Sequence, residues 1–543
     1  MKNAISGSVN GVRNIGLFLI IASSCAVPSI IWAQSTNPDH ELKQLLARYN
    51  FTGNTQATLE KKHPVDEKLA AIGQNLFFDR ILGLSNDNSC SGCHSPQFAF
   101  ADSQSIAIGV DNNCRVGPGR VGPHNQRRSP TVTNAVLYPV MMWNGRFSSI
   151  SGDGLDNSKG FLFPAPEGNT KFASYDPYVK MLMAAQGHMP STELPEMAGF
   201  PPKGTSLFLT MSKFGGDLAL VEDNMIKRLK APISSSQAKD ANLRAFSKSS
   251  LSGIQPLTTN ACGTTPTPLP IADIPITSLN EPIRREVLKR LDADQGYHKL
   301  FADQFPSEPL NFGMIGAALA EFQTKLVFAD APIDKYARGD VNALTDEEKQ
   351  GAILFFGSAG CVSCHAVNST GGELFSDFAS HNIGVPPLYP SPGEGNVEFL
   401  GVNKDTDFGR AEFTGLEDSN AADRYLFRTS PLRNVGLQPT FMHNGAYTKL
   451  RDAIAHHLDA PRSLLDYDPA KAGVKGLSRV ANRYPILDTI DPTLKPIAAS
   501  DTELNALTSF VGNALTDPRA RKGCDLVPKT LPSGNPLPVF EGC

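Results

Sequence analysis

Clusters of basic residues are absent from this sequence of 543 residues, and its formal net charge is only −4. Proteins that bind nucleic acid through its phosphates carry Lys and Arg in a patch or run, so no nucleic-acid partner is expected here. No long apolar run occurs after residue 33, which leaves no later candidate for a membrane span. The 41% hydrophobic and 19% charged composition is that of an ordinary water-soluble globular protein.

Regular alternation of apolar and polar residues, the pattern of a half-buried strand, is also scarce. Helical spacing of apolar residues is present instead, as in REVLKRLDADQGYHKLFADQF and GMIGAALAEFQTKLVF. Forty-six glycines and 41 prolines indicate long loops between the helices. We therefore predict a mainly α fold, and the length is sufficient for two domains.

The N-terminus has the features of a secretory signal peptide. Lys2 and Arg13 precede the apolar segment from Ile15 to Ala33, and cleavage after Ala33 is expected. An uncleaved membrane anchor is the alternative, but Pro28 and the lack of a basic flank favour cleavage. The mature protein is then predicted to be periplasmic, with no membrane span.

Nine cysteines divide into clear groups. Cys25 lies in the signal peptide, and two copies of one pattern occur as CSGCH (Cys90–His94) and CVSCH (Cys361–His365). The remaining four allow up to two disulfides with three pairings: Cys114, Cys262, Cys524 and Cys543. We prefer the pair Cys524–Cys543, which would close the proline-rich C-terminal tail.

C-x-x-C-H is the attachment pattern of c-type haem. Two thiols reach the two vinyl groups of one porphyrin, and the next histidine turns back to ligate its iron. A zinc site or a thioredoxin-like redox pair are the alternatives, but neither needs a histidine after both halves. We predict two covalently bound haem c groups, held by Cys90 with Cys93 and by Cys361 with Cys364, with His94 and His365 as ligands.

The two motifs lie in similar surroundings. IGQNLFFDR precedes the first and GAILFFGSAG the second, and RRSPTVTNAVLYPVMMWNGRFSSI and RTSPLRNVGLQPTFMHNGAYTKL follow them. This internal repeat indicates duplication of one cytochrome unit. We predict two cytochrome c-like domains, each built around one haem, over residues 34–335 and 336–543, with an insertion at about 201–280.

From about Lys68 to Val511 the chain resembles the bacterial dihaem cytochrome c peroxidase family, including its MauG-like branch. The stretches that carry the resemblance are LFFDRILGLSNDNSCSGCHSPQFAFAD, RRSPTVTNA, WNGR, LPEMAG, ALTDEEKQGAILFFGSAGCVSCH, HNIGVP, DFGR, RTSPLRNV and MHNG. The resemblance implies a first, peroxidatic haem in the N-terminal domain and a second, electron-transfer haem in the C-terminal domain.

The resemblance also implies roles for individual residues. Gln186 and Glu196 have the ten-residue spacing of a family pair over the first haem, where a carboxylate can move the peroxide protons. Trp143 matches a tryptophan between the two haems. His443 matches a histidine near the propionates of the second haem.

Two departures from the family alter these implications. The peroxidase branch with a switchable first haem has a distal histidine where this chain has Val110, so an open first haem is expected. An interdomain calcium ion uses an asparagine where this chain has Arg128, and a neighbouring segment reads LQPTF at Leu437–Phe441. These substitutions argue against calcium binding.

A third departure lies in AIAHHLDA. Fourteen residues after the MHNG histidine, the family has a methionine or tyrosine ligand of the second haem, and this chain has His457. Helical periodicity also puts His457 on the apolar face with Leu450 and Ile454, while His456 falls on the polar side and is expected to face solvent.

These features predict an exported dihaem peroxidase that reduces hydrogen peroxide to water. Electrons would come from a small donor protein, a cytochrome c or a cupredoxin, through the second haem. One alternative is a MauG-like oxidase that modifies a partner protein or an organic substrate, which a low-potential bis-histidine haem would favour. The other is a plain electron-transfer cytochrome, against which Val110 argues. The oligomeric state is left open.

Overall fold

The computed structural model describes residues 37–163, 171–199, 259–267, 280–390, 406–415 and 418–543. The predicted signal peptide, 1–33, lies outside these ranges, as does most of the predicted insertion. The chain from Gln34 to Cys543 forms one compact unit. No helix in the described part of the chain is long and apolar enough to cross a membrane.

Helices dominate the described residues, in line with the predicted mainly α fold. The α-helices are α1 Pro38–Arg48, α2 Thr55–Lys62, α3 Glu67–Phe78, α4 Cys90–Cys93, α5 Leu182–Gln186, α6 Asn280–Ala293, α7 Gln295–Gln304, α8 Phe312–Thr324, α9 Pro332–Ala337, α10 Asp346–Phe356, α11 Ala411–Thr414, α12 Leu450–Leu458, α13 Ala460–Asp466, α14 Tyr484–Leu487 and α15 Asp501–Ser509. Two π-helical turns occur at Leu194–Ala198 and Phe510–Ala514.

The strands are two or three residues long. They are β1 Arg115–Val116, β2 Val140–Met141, β3 Phe147–Ser149, β4 Phe161–Leu162, β5 Lys171–Phe172, β6 Ser380–His381, β7 Leu388–Tyr389, β8 Phe427–Arg428, β9 Arg479–Val480 and β10 Val539–Phe540. β2 to β5 form an antiparallel meander, β6 pairs with β8, and β7 with β9. β1 pairs in parallel with β10, so the C-terminal tail lies beside the segment that follows the first motif.

Side-chain caps define where the principal helices begin. Asp66 accepts hydrogen bonds from two backbone N–H groups at the start of α3. Thr345 with Glu348 and Ser500 with Glu503 form capping boxes at the starts of α10 and α15. Each cap accepts hydrogen bonds from N–H groups that have no partner within the helix, and the helix therefore begins at the next residue.

Two helix pairs cross at a glycine in the same way. A Cβ atom on Gly73 of α3 would lie 1.8 Å from the carbonyl oxygen of Ala318 in α8. A Cβ atom on Gly351 of α10 would lie 1.9 Å from the carbonyl oxygen of Ala506 in α15. Only glycine permits such close backbone contact, and this explains the glycines of IGQNLFF and QGAILFF.

The aromatic core around each crossing is also repeated. In each repeat, a phenylalanine of the helix before the motif contacts two other rings. One belongs to a phenylalanine in or directly after the crossing helix, and the other is the motif histidine. The ring centroid of Phe77 lies 5.2 Å from that of Phe322 and 6.3 Å from that of His94. The ring centroid of Phe355 lies 5.3 Å from that of Phe510 and 6.4 Å from that of His365. We call Glu67–Thr324 the first repeat and Asp346–Ala514 the second repeat.

Left-handed turns mark equivalent points in the two repeats. Asn134 and Asn434 both have φ 63°, and both side-chain amides donate to the carbonyl oxygen of Phe328, at 3.3 and 2.9 Å. Met142 and Met442 have φ 67° and 73°. Asparagine tolerates this conformation better than most residues, but methionine does not, so surrounding contacts hold both methionines there.

Candidate haem sites and the contact between them

The cysteines separate into two chemical groups. Cys114 pairs with Cys262 and Cys524 pairs with Cys543, which confirms the preferred pair at the C-terminus. The motif cysteines all remain as thiols in the structure: Cys90, Cys93, Cys361 and Cys364. The disulfides therefore leave both C-x-x-C-H motifs with the two free sulfur atoms that covalent attachment of a haem requires.

The second motif places two imidazoles opposite each other. The ring centroids of His365 and His457 are 6.2 Å apart. Metal–imidazole bonds of about 2 Å to a shared ion place two ring centroids roughly 6 Å apart. Nδ1 of His365 pairs with the carbonyl oxygen of Phe375 at 3.0 Å, and Nδ1 of His457 with that of Ala453 at 2.8 Å. These bonds leave Nε2 of each ring as the atom that would bind a metal, so the two side chains fit a pair of haem-iron ligands.

Burial keeps these rings in the form that binds metal. Burial, and then the charge of His457, lower the pKa of His365 to about 4, and burial also lowers the pKa of His457. A neutral imidazole retains the lone pair that coordinates iron.

His456 does not face solvent, and the prediction that it would was wrong. Its side chain is fully buried, with Nδ1 3.1 Å from the hydroxyl of Tyr447 and Nε2 2.8 Å from the carbonyl oxygen of Ile383. Periodicity failed here because α12 is covered on both sides, so its polar side packs on the HNIGVP segment. Both ring nitrogens of His456 have protein partners, and neither is available to a metal.

The first motif histidine lies in a similar position. The ring of His94 lies beside that of Phe77, with the centroids 6.3 Å apart, and its Nδ1 atom is buried. Burial lowers the pKa of His94 to about 4, so this imidazole is also neutral. A ligating nitrogen is thus available beside Cys90 and Cys93.

The structure places Glu196 against the first motif. The side-chain amide of Asn88, just before the motif, donates to the carbonyl oxygen of Glu196 at 2.8 Å. After burial, the Glu196 carboxylate is among the groups that raise the pKa values of Cys90 and Cys93 to about 12. The charge of this carboxylate therefore acts on both thiols that would carry the first haem.

Val110 lies beside the turn that carries Glu196. Its backbone N–H donates to the carbonyl oxygen of Pro195 at 3.1 Å, and its side chain is buried. A Cβ atom on Gly109 would lie 1.9 Å from the same carbonyl oxygen, so the two segments are in backbone contact. Gln186, at the last position of α5, is half-buried like Glu196.

Trp143 lies where the two repeats meet. Its Nε1–H donates to the carbonyl oxygen of Arg128 at 2.7 Å, and its own carbonyl oxygen accepts from the backbone N–H of Arg428 at 2.7 Å. In the reciprocal contact, the N–H of Arg128 donates to the carbonyl oxygen of His443 at 2.8 Å. Trp143 and His443 thus occupy equivalent positions. The backbone carbonyl oxygen of each accepts a hydrogen bond from the backbone N–H of an arginine in the other repeat.

His443 is buried in a small polar cluster. Its ring stacks on Phe427 with centroids 3.6 Å apart, and Nε2 is 3.9 Å from a carboxylate oxygen of Asp407. Asp407 and Glu412 form ion pairs with Arg127, at 2.6 and 2.5 Å. Burial and the charge of Arg127 hold the pKa of His443 well below its usual value, so the ring is neutral.

The guanidinium of Arg128 contacts the LQPTF segment. It donates to the side-chain oxygen of Gln438 at 2.7 Å and to the carbonyl oxygen of Thr440. Sequence reasoning treated Arg128 only as a missing calcium ligand, and it assigned no role to Tyr447 or to HNIGVP. The arginine that both repeats carry before Ser-Pro, in RRSP and RTSP, was the available signal.

A family model described as di-haem cytochrome c peroxidase matches residues 67–246 and 268–342. The chain is 24% identical over 504 residues to the methylamine utilization protein MauG of Methylorubrum extorquens, covering 92% of this chain and 94% of that protein. It is 23% identical over 400 residues to the cytochrome c551 peroxidase of Pseudomonas aeruginosa, covering 74% of each.

A similar fold occurs in the crystal structure of a MauG-like protein associated with microbial copper homeostasis. The TM-score is 0.50 at 19% identity, and the match covers 88% of this chain and 95% of that chain. The helix crossings, the two motifs and these relatives agree on one assignment. The chain is an oxidoreductase that belongs to the di-haem cytochrome c peroxidase family, which includes the MauG proteins.

Proposed function

We propose that this protein is an exported dihaem c-type peroxidase that reduces hydrogen peroxide to water. Peroxide binds at the N-terminal haem site, and electrons from a small cytochrome c or cupredoxin enter through the C-terminal haem site. The observation that carries the proposal is the difference between the two sites. At the second site the rings of His365 and His457 lie at a ligand-pair spacing, whereas at the first site the described segments beside the motif bring Val110 and the turn of Glu196 together.

The proposal includes two haem-bearing domains, over 34–335 and 336–543. The repeated glycine crossings and aromatic cores support it, because each repeat encloses one motif in the same helix arrangement. Cys90, Cys93 and His94 would hold the first haem, and Cys361, Cys364, His365 and His457 the second. Haem c, when bound, supplies the iron that binds peroxide and exchanges electrons.

Proton transfer is assigned to Glu196. Reduction of peroxide needs a base that takes the proton from one oxygen and an acid that protonates the other, and one carboxyl group can do both in turn. The contacts of its turn with Asn88 and Val110 support this assignment because they hold the carboxylate-bearing segment beside the motif. The Gln186 amide would orient the peroxide by hydrogen bonding.

Trp143 is assigned to electron transfer between the two sites. Its hydrogen bonds to Arg128 and Arg428 support this assignment, because they fix the indole where the repeats meet. His443 would have a structural role close to the second haem.

Glu196→Gln is the direct test. Steady-state turnover of peroxide with a reduced small cytochrome c as donor should fall at least about a hundredfold, since proton transfer typically contributes factors of 10² to 10⁴. Glu193→Gln, three residues earlier in the same half-buried turn, is the matched control and should retain activity. Equal turnover in wild type and Glu196→Gln would remove Glu196 from the mechanism.

A MauG-like oxidase that modifies a partner protein or an organic substrate is the second candidate. The facing pair His365 and His457 favours it, because bis-histidine ligation gives a lower potential than His–Met ligation and makes the second haem a poorer electron acceptor. Absence of peroxide turnover with every reduced cytochrome or cupredoxin donor, together with peroxide-dependent oxidation of an added protein or organic substrate, would establish this function instead.

A further inference from the structure

Trp143 is the single tryptophan of the chain after residue 33, since the other of the two is Trp32. Its side chain is only 7% exposed. The acceptor of its indole N–H is the backbone carbonyl of Arg128. A carbonyl oxygen does not take up a proton at neutral pH. An indole that lost one electron here would therefore keep its proton and remain positively charged.

A second positive charge already lies beside this ring. The guanidinium carbon of Arg128 is 5.6 Å from the indole centroid, within the range of a cation–π contact. A cation over a neutral indole is attracted to the ring, but it repels an indole that has become a cation. The same contact that stabilises Trp143 at rest thus opposes its oxidation.

Arg128 is a buried charge that lacks an adjacent counter-charge. Its side chain is 4% exposed, and it bonds neutral oxygen atoms of Gln438 and Thr440. Among the described residues no carboxylate lies within salt-bridge distance of it, and Asp102 is the acidic group that acts on it from further away. The preceding Arg127 differs, because Asp407 and Glu412 neutralise it.

We propose that Arg128 is a positioning residue that protects Trp143 from one-electron oxidation. The indole then serves as a medium through which electrons pass between the repeats, and it is not itself left oxidised. The assignment of Trp143 to the electron route rests on the proposed function. The resistance of the indole to oxidation rests only on the contact with Arg128.

The test is the oxidation of Trp143 by hexachloroiridate(IV), an outer-sphere one-electron oxidant, in the exported dihaem protein after cleavage of the signal peptide at Ala33. Each hexachloroiridate(IV) takes one electron and becomes hexachloroiridate(III). Two such steps, with water as the oxygen source and release of two protons, add one oxygen atom to the indole. Peptide mass spectrometry measures the rate of this addition, and only one tryptophan can report it.

Four variants separate charge from structure. Arg128→Gln removes the charge and should speed oxidation of Trp143 by at least about tenfold, because a like charge close to a buried site is removed. Gln438→Glu keeps Arg128 but places a carboxylate beside it, and should act in the same direction. Arg128→Lys keeps the charge and should resemble wild type. Arg146→Gln, whose guanidinium lies 4.6 Å from the Phe147 ring, is the matched control and should also resemble wild type.

Equal oxidation rates in Arg128→Gln, Arg128→Lys and Gln438→Glu would overturn the proposal and leave Arg128 a purely structural role. If Arg128→Gln does not fold, as judged by circular dichroism and melting temperature, Gln438→Glu decides the question alone. The assay contains no peroxide, so a failure of peroxide turnover would count against the proposed function without affecting this result.

Discussion

The two adjacent histidines of α12 differ in what their ring nitrogens contact. Nδ1 of His457 pairs with the carbonyl oxygen of Ala453, and the ring faces that of His365. Both ring nitrogens of His456, in contrast, have protein partners. Because His457 is the proposed strong-field ligand of the second haem, His457→Ala should abolish the low-spin electron paramagnetic resonance signal of that haem in the oxidised protein.

His456→Ala is the matched variant one residue away. It should keep the low-spin signal and lower the free energy of unfolding by about 1–3 kcal/mol, because the Tyr447 hydroxyl and the Ile383 carbonyl lose a buried partner. Loss of the signal in His456→Ala but not in His457→Ala would reverse the ligand assignment.

His381 makes stability depend on pH near the second motif. Its ring lies between Asp377, at 3.2 Å, and Asp491, at 2.6 Å. The hydrogen bond to Asp377 and then that to Asp491, opposed by burial, raise the pKa of His381 from 6.5 to about 9. Because the folded pKa exceeds the unfolded one, this stabilisation is fully present below about pH 6.5 and is lost as the pH rises through 9.

Melting temperatures of wild type and His381→Asn check this pH dependence. The melting temperature of the variant should be about 2 °C or more below that of wild type at pH 6, and the difference between the two melting temperatures should be smaller at pH 10. His298→Asn is the control, since its pair with Asp292 is exposed and should contribute little at any pH. A gap that does not change between pH 6 and pH 10 would contradict the assignment.

At the scale of elements, glycines allow the helices to cross in close contact, and the sequence alone did not indicate that role. Gly351→Ala should lower the free energy of unfolding by about 3 kcal/mol, because its Cβ would meet the backbone of α15 and force the helices apart. Thermal or denaturant unfolding measures the change.

Gly512→Ala is the matched control in the following π-helical turn. There the added Cβ would meet only a methyl group of Leu450, at 3.1 Å, and a side chain can move where backbone cannot. Equal destabilisation by the two alanines would show that the α10–α15 crossing is not the critical contact.

Sequence reasoning succeeded where the evidence was local. Helices α3 and α10 before the motifs, the repeated segments after them and the short-range disulfide Cys524–Cys543 all follow from spacing within a few tens of residues. It failed for His456, whose burial depends on Ile383, 73 residues away. It also missed the reciprocal arginine contacts, which join positions about 300 residues apart and leave no periodic signal.

At the scale of the whole molecule, one disulfide connects a distant segment to the candidate proton-transfer turn. Cys262 is 148 residues from Cys114, and its neighbour Asn260 donates to the carbonyl oxygen of Ser85 at 3.1 Å. The backbone N–H and the hydroxyl of Ser85 both donate to the carbonyl oxygen of Met197, at 3.2 and 2.9 Å. Met197 follows Glu196 directly, so the disulfide supports the turn that carries this carboxylate.

Replacing both cysteines of this disulfide by serine should therefore affect activity as well as stability. The chain-entropy model gives a loss of about 4–5 kcal/mol for Cys114–Cys262 and about 3 kcal/mol for Cys524–Cys543, which closes a much shorter loop. Peroxide turnover, measured well below both melting temperatures, should fall severalfold only in the first double variant, since only that disulfide adjoins the Glu196 turn. A comparable fall in peroxide turnover in both double variants would mean that activity follows the overall stability of the protein and not the support of the Glu196 turn.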